Sequence, residues 1–300
     1  MRSVFTKCIQ NTAKKNKNFL VLTGDHGNEI FNNFKKEFPK QFINAGVAEQ
    51  NMVGVAAGLS RVGCVPLVYG LSSFIPIRVY EQIKLDIAHD SLKVIFIGDG
   101  AGLVYSYLGT SHQSIEDIAS LRPIPNLRIY SPADGYEMKY CFEEALASKG
   151  PSYIRIGKSD LPKIHKKNLL KNNNIIKTRS AKDSKIAILA TGSMVSKAYK
   201  ISNFFKCSVY SILRIKPMEE NLIMKIVSKY QFIVTMEEHS VYGGLGSAIT
   251  ESASRNGSAK ILRIGVEDKF TEKCGSYDYT LKSLGLDDES IISKIKNFVI

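Results

Sequence analysis

No segment of this 300-residue chain is apolar for long enough to cross a bilayer, which excludes a membrane-spanning helix. Its five cysteines (Cys8, Cys64, Cys141, Cys207, Cys274) lie far apart, contain no CxxC pair and are odd in number. That pattern argues against a disulfide framework and for scattered reduced thiols. The opening stretch MRSVFTKCIQNTAKKNKNFLVLTG lacks the charged, then apolar, then small-residue order of a secretory signal, so a cytoplasmic protein is expected. Also missing are an internal repeat, zinc-ligand spacing, a helix-turn-helix and an RNA-binding aromatic motif.

What is present is an ordinary soluble composition, 44% apolar and 23% charged, in a chain long enough for two domains. Lys and Arg number 41 against 28 Asp and Glu, a net charge of +13. Residues 158–184 hold eight of those bases against two acids, so nearly half of the excess sits in one Lys/Asn-rich stretch. A solvated basic linker accounts for this better than a nucleic-acid surface, and an anionic partner or substrate would also fit.

Short apolar runs alternate with longer amphipathic ones, which predicts an α/β fold of two domains, each a mainly parallel sheet flanked by helices. Strands are expected at NFLVLTG, CVPLVYG, KVIFIG, NLRIYSP and PSYIRIG, with helices over AEQNMVGVAAGLSRVG, PIRVYEQIKLDIAHD and YEMKYCFEEALASKG. The rhythm breaks in the basic stretch and restarts at KIAILATGS, continuing through SVYSILRIKP, FIVTMEEH and GGLGSAITESASRNG. Residues 1–160 form the first expected domain, 161–182 a linker and 183–300 the second.

The run FINAGVAEQNMVGVAAGLS, residues 42–60, sets Glu49 among small and apolar residues. A carboxylate removed from water needs a partner, so Glu49 is either exposed as a first-turn helix acid or waits for a ligand. Gly46 permits close backbone approach, and the bare surface offered by Gly54, Ala56, Ala57 and Gly58 suits an interface.

This run resembles the C-terminal half of a transketolase, above all the split form in which two shorter chains replace a long one. So do GTSHQSIEDIASLRPIPNLRIYSPADGYE (109–137), ATGSMVSKAYKIS (190–202) and TMEEHSVYGGLGSA (235–248), in the same order. The resemblance implies a pyrimidine-binding domain followed by the transketolase C-terminal domain, with thiamine diphosphate held across an interface. It makes Glu49 the acid that hydrogen-bonds the aminopyrimidine nitrogen. A proton shared there favours the imino tautomer that can deprotonate the thiazolium, and the cofactor then acts as electron sink. Phe74 matches the aromatic that stacks on the pyrimidine, with Tyr80 as a second choice, and Asp25 matches an acid near the cofactor. His112 matches a substrate-contacting histidine able to shuttle a proton, and Lys158 and Arg2 fall where phosphate-binding arginines stand.

The diphosphate half of such a site needs a metal held by GDG and a following Asn pair. GDGAG at 98–102 begins that way, but Asn126 stands single and the triple Asn at 172–174 lies too far on. Asp99 and its glycines are therefore read as a turn. No metal ligand is assigned to this chain; the divalent ion, such as Mg2+, is expected on a separate N-terminal subunit, in a two-plus-two heterotetramer. Gly100 and Leu108 replace a His and an Asp that contact sugar in the family, and Ser111 follows Thr110 where Thr follows Pro. Lost hydroxyl acceptors change discrimination among sugars, which points away from ordinary pentose phosphates and toward an unusual ketose such as a nucleotide-linked or surface-polysaccharide sugar; the sugar partner is expected to be phosphorylated or nucleotide-linked. The alternatives are the beta subunit of a 2-oxo acid dehydrogenase, a deoxyxylulose-phosphate synthase fragment and a noncatalytic scaffold subunit. The glycines of GGLGSA are read as helix packing and Ser193 as a helix cap.

Overall fold

In a computed structural model, which describes residues 1–166, 174–255 and 257–300, the five apolar runs of the first half become strands and a sixth, at the edge, is added from the FIN stretch. They are β1 (Phe19–Thr23), β2 (Phe42–Asn44), β3 (Val65–Leu71), β4 (Ile95–Asp99), β5 (Arg128–Tyr130) and β6 (Ser152–Ile156). Along β1 the side chains alternate faces, as a pleated strand requires. Leu20 and Leu22 join Met52, Val53, Val68 and Phe96, whereas Phe19 and Val21 join Phe5, Phe31, Phe34 and Tyr69. Burial on both faces explains why β1, β3, β4 and β6 read as apolar runs.

The second half supplies β7 (Ile175–Arg179), β8 (Ile186–Ala190), β9 (Ser208–Ile212), β10 (Arg214–Lys216), β11 (Phe232–Ser240) and β12 (Lys260–Val266). Among the described residues the first sheet runs β10-β5-β6-β4-β3-β1-β2 and the second β12-β11-β8-β9-β7. Pairing is parallel except at β10 and β7. The molecule is thus two α/β sheets of mostly parallel strands flanked by helices. Strand β7 lies in the stretch expected as a linker, where Ile175 pairs with Ile212, and β10 crosses back to pair with β5. Residues 167–173 of that stretch, with two of the three consecutive asparagines, lie outside the described residues.

Helices α1 (Arg2–Lys15), α2 (Asn28–Glu37), α3 (Glu49–Arg61), α4 (Tyr80–Gln82), α5 (Asp117–Leu121) and α6 (Gly135–Ala147) accompany the first sheet. On α3 the buried residues are Met52, Val53, Ala56 and Ala57, the apolar stripe of an amphipathic helix. Helix α1 is absent from the sequence-based expectations; it buries Phe5, Ile9 and Ala13, one residue every four. The helix expected over 76–90 is instead a tight 3-10 turn at Ile77–Val79, α4, and a π turn at Ile83–Ala88. Its buried residues Val79, Ile83 and Ile87 recur every four positions. That spacing keeps them on one face of the segment despite its irregular turns. The second sheet carries α7 (Met194–Phe205), α8 (Glu220–Val227), α9 (Leu245–Ala253), α10 (Tyr277–Ser283) and α11 (Asp288–Phe298).

A buried polar network joins the two sheets. The Arg155 guanidinium on β6 donates to both Asp117 oxygens, at 2.8 and 3.1 Å, and to the Glu238 carbonyl at 3.1 Å. The Tyr153 hydroxyl donates to the same Asp117 at 2.8 Å. Beside them His239 is wholly buried, and burial pushes its pKa down to about 4. Its neutral ring donates from Nδ1 to the Ser240 carbonyl at 2.8 Å and accepts the Ala119 amide at Nε2, 3.2 Å away. Burial also pushes the Glu237 carboxyl up to about 7, although the Leu245 and Gly246 amides at the start of α9 donate to it. A Cβ at position 244 would stand 2.0 Å from a Glu237 oxygen, which is why GGLG needs that glycine.

Removing one member of a buried ion pair strands the other charge, at a cost of about 3–5 kcal/mol. Arg155→Ala is therefore expected to lower the thermal unfolding midpoint by at least about 6 °C, given roughly 2–4 °C per kcal/mol in a protein of this size class. An unchanged midpoint by calorimetry would show that the network does not hold the two sheets together.

Candidate active site

Parallel strands deliver the chain to one edge of the sheet, and the register aligns their ends. Thr23 pairs with Asn44 and Tyr69, Leu71 with Asp99, and Asp99 with Ile156. The segments that follow carry Asp25, Glu49, Phe74, His112 and Lys158, so the edge where ligands collect in such sheets gathers the sequence-derived candidates.

Glu49 is the first residue of α3, reached through a turn in which Gly46 takes φ +72° and donates to the Asn44 side chain at 2.8 Å. A negative charge is favoured at that helix end. The carboxylate does not cap the helix and is not buried alone: Arg78 Nη1 donates to its Oε2 at 3.0 Å, and the side chain is 15% exposed. The same guanidinium lies 4.1 Å from the centre of the Phe74 ring. Phe74 in turn meets His112 edge-on, with ring centres 5.6 Å apart. His112 Nδ1 stands 3.0 Å from the Ser111 hydroxyl, and its amide donates to the Gly109 carbonyl. Glu49, Arg78, Phe74 and His112 thus form one continuous row. Arg78 is missing from the sequence-derived candidates; its position four residues after an aromatic, in a helical segment, is the signal that would have found it.

Tyr80 packs against the aliphatic core around α3, and the ring that reaches the partner of Glu49 belongs to Phe74. Asp25 is in the turn after β1, and its neighbour His26 is the residue tied into the edge.

A second cluster centres on Asp99, which corrects its reading as a turn residue. It ends β4 with 1% exposure and accepts from Arg2 Nε at 3.1 Å, Arg2 Nη2 at 3.0 Å and the Tyr105 hydroxyl at 3.0 Å. His26 Nε2 sits 3.1 Å away, its ring stacked on Tyr69. Burial works to raise the Asp99 pKa, but His26 and Arg2, hydrogen-bonded to it, outweigh that and hold it below the usual carboxylate range. Gly100 takes φ +74°, and a Cβ there would meet the Tyr105 ring at 2.0 Å, so glycine is required whatever its effect on substrate. Leu108 is 43% exposed. Lys158 pairs with Asp160 at 2.8 Å, and the Met1 amino group donates to the Ser159 carbonyl at 3.3 Å, bringing Arg2 and Lys158 to neighbouring positions.

Asn126 has φ +66° and donates to the Ala88 carbonyl, a turn role. Ser193 precedes α7 without capping it; its hydroxyl donates instead to Glu238, correcting the expected cap. Among the described residues no helix is long and apolar enough to cross a membrane.

Family profiles match the chain along most of its length: the transketolase pyrimidine binding domain over residues 1–163 and the transketolase C-terminal domain over 177–291. A Methanocaldococcus jannaschii chain, provisionally named a transketolase C-terminal section, is 37% identical over 98% of this chain and 95% of its own length. The 6-deoxy-6-sulfo-D-fructose transketolase subunit of Clostridium sp. is 31% identical over 97% and 92%. An apulose-4-phosphate transketolase subunit of Phocaeicola vulgatus is 30% identical over 99% and 97%. Among solved structures, a split gene transketolase described as an inactive beta4 tetramer superposes with TM-score 0.87 and 31% identity, covering 99% of this chain and 96% of that one. The fold also matches the transketolase of Leishmania mexicana, with TM-score 0.84 and 16% identity, but spans only 45% of that longer chain.

A carboxylate with a depressed folded-state pKa stabilises the fold above its unfolded value of 3.8 and loses that contribution as pH falls through the folded value. Asp99→Asn forfeits the contribution at every pH. In urea titrations the variant is expected to be less stable at pH 7, with the gap to the native chain closing below about pH 4. A gap that stays constant into acid would mean that Asp99 is not the charged hub of this cluster.

Proposed function

The chain belongs to the transketolase family, and from that premise we propose that it is the C-terminal subunit of a split, thiamine diphosphate-dependent transketolase. In this reading it moves a two-carbon ketol unit from a ketose to an aldose. The observation that carries the proposal is the row of Glu49, Phe74 and His112 at the carboxyl edge of a pyrimidine-binding sheet. The family implies thiamine diphosphate. The residues fit its aminopyrimidine: one planar nitrogen-bearing group, here the Arg78 guanidinium, already touches the Glu49 carboxylate and the Phe74 face together.

Each residue then has a definite task. Glu49 holds the proton shared with the ring nitrogen, at the end of a helix whose dipole favours its charge. Phe74 fixes the plane of the ring by stacking. His112, beside that ring, donates to or accepts from sugar oxygens. Arg2 and Lys158 are each paired with a carboxylate, Asp99 and Asp160, and in this reading Lys158 exchanges its exposed partner for a phosphate, as a point charge rather than a fork, while Arg2 adds positive charge beside it. Bound cofactor supplies the electron sink for carbon–carbon cleavage, which protein side chains lack.

The diphosphate, its divalent ion and the Asn pair that holds it belong in this proposal to an N-terminal subunit. Relatives of matching length that are named as a transketolase section or subunits support that assignment. A two-plus-two heterotetramer, located in the cytoplasm, follows as part of the same proposal. The sugar is phosphorylated or nucleotide-linked and differs from the usual pentose phosphates. Gly100 and Leu108 offer no hydroxyl acceptor, and relatives of matching length are named for a sulfonated sugar and for apulose 4-phosphate.

Glu49→Gln keeps the shape of the side chain and removes the proton it shares. In the assembled two-subunit enzyme, ketol transfer is expected to fall by about 10²-fold or more. Full activity in that variant would favour a scaffold role for this chain, and acyl transfer to a lipoyl carrier without ketol transfer would favour the 2-oxo acid dehydrogenase reading.

A further inference from the structure

Resting on the thiamine diphosphate reading, we infer that Arg78 is the gate of the cofactor site. In the chain by itself its guanidinium takes the place of the aminopyrimidine ring, and the cofactor binds by displacing it. The two groups share the chemistry that matters here. Each is planar, presents nitrogen to the carboxyl group, the guanidinium as a donor and the ring nitrogen as partner in a shared proton, and offers a face to an aromatic ring. Arg78 uses both at once, on Glu49 Oε2 at 3.0 Å and on Phe74 at 4.1 Å. Close packing does not admit a second planar group between the same carboxylate and the same ring face. Arg78 and the pyrimidine therefore exclude one another.

The surroundings of Arg78 suit a side chain that leaves. It is 47% exposed, so release into water needs no rearrangement of the core. Its backbone sits in the short 3-10 turn Ile77–Val79, pinned to α3 by the Gln50 side chain, which donates to the Arg78 carbonyl at 3.3 Å. The backbone can stay in place while the side chain swings. Until the cofactor arrives, the guanidinium gives the Glu49 carboxylate the partner it needs away from bulk water.

A closed form lowers apparent affinity by the fraction of open sites. The part-exposed ion pair and the cation–aromatic contact are each modest, so closure is expected to weaken cofactor binding roughly three- to tenfold. The test is calorimetric titration of thiamine diphosphate, with Mg2+ present, into the two-subunit complex carrying native, Arg78→Ala or Arg78→Lys chains. Arg78→Ala is expected to tighten Kd by that factor, whatever happens to turnover. Arg78→Lys keeps the charge and loses the planar fork, so it is expected to fall between the other two, and it carries the test if the alanine variant does not assemble. Binding by the variants that is equal to or weaker than native overturns the gate while leaving the cofactor reading intact. Absence of binding by all three complexes overturns the cofactor reading itself, and the gate with it.

Discussion

A carboxylate that leaves water needs compensating partners, and three acids that organise this chain have each taken an arginine. Asp117 holds Arg155 between the sheets, Asp99 holds Arg2 at the sheet edge, and Glu49 holds Arg78 at the start of α3. The three pairs grade in burial. Asp117 and Arg155 are almost fully enclosed, Asp99 is buried while Arg2 reaches solvent, and Glu49 and Arg78 are both accessible. The cost of breaking each pair follows that gradient. The enclosed pair is structural, because breaking it strands a charge, whereas the accessible pair can be exchanged at little cost.

The enclosed pair also explains how two sheets become one scaffold. Arg155 lies on β6 of the first sheet yet donates to the Glu238 carbonyl on β11 of the second, and β10 crosses back to extend the first sheet. Glu238 in turn accepts the Leu103 amide and the hydroxyls of Ser193 and Tyr277. The second domain therefore reaches the loop between Asp99 and His112 through Leu103, within four residues of Asp99. A change in the TMEEH segment is physically connected to the candidate site, although no residue of that segment needs to touch a substrate.

Much of this was legible in the sequence because it depends on local pattern. Parallel strands buried on both faces read as apolar runs, α3 shows its stripe at helical spacing, and the blocks around Glu49 and His112 carry the family resemblance. What stayed illegible depends on pairing across long separations. Nothing local marks β7 as a strand inside a basic stretch, since its partner β9 lies some 35 residues away. Nothing local marks Asp99 as a hub either, because Arg2, His26 and Tyr105 arrive from three separate segments. Helix α1 is hard to read because three buried apolar residues among polar and basic neighbours make a weak stripe, and the aromatic cluster of Phe5, Phe31, Tyr69 and Phe142 gives it a place.

The sequence by itself determined the fold class, the alternation of its principal strands and helices, and that an acid would open the helix of the AEQ block, because side-chain periodicity and backbone preference act over a few residues. Only the tertiary structure decided that this acid is met by Arg78 across the Phe74 ring, that Asp99 gathers its three partners, and that the two sheets share a buried network. Those arrangements depend on which strand ends come to lie side by side, and that is set by long-range packing that no short stretch of residues encodes.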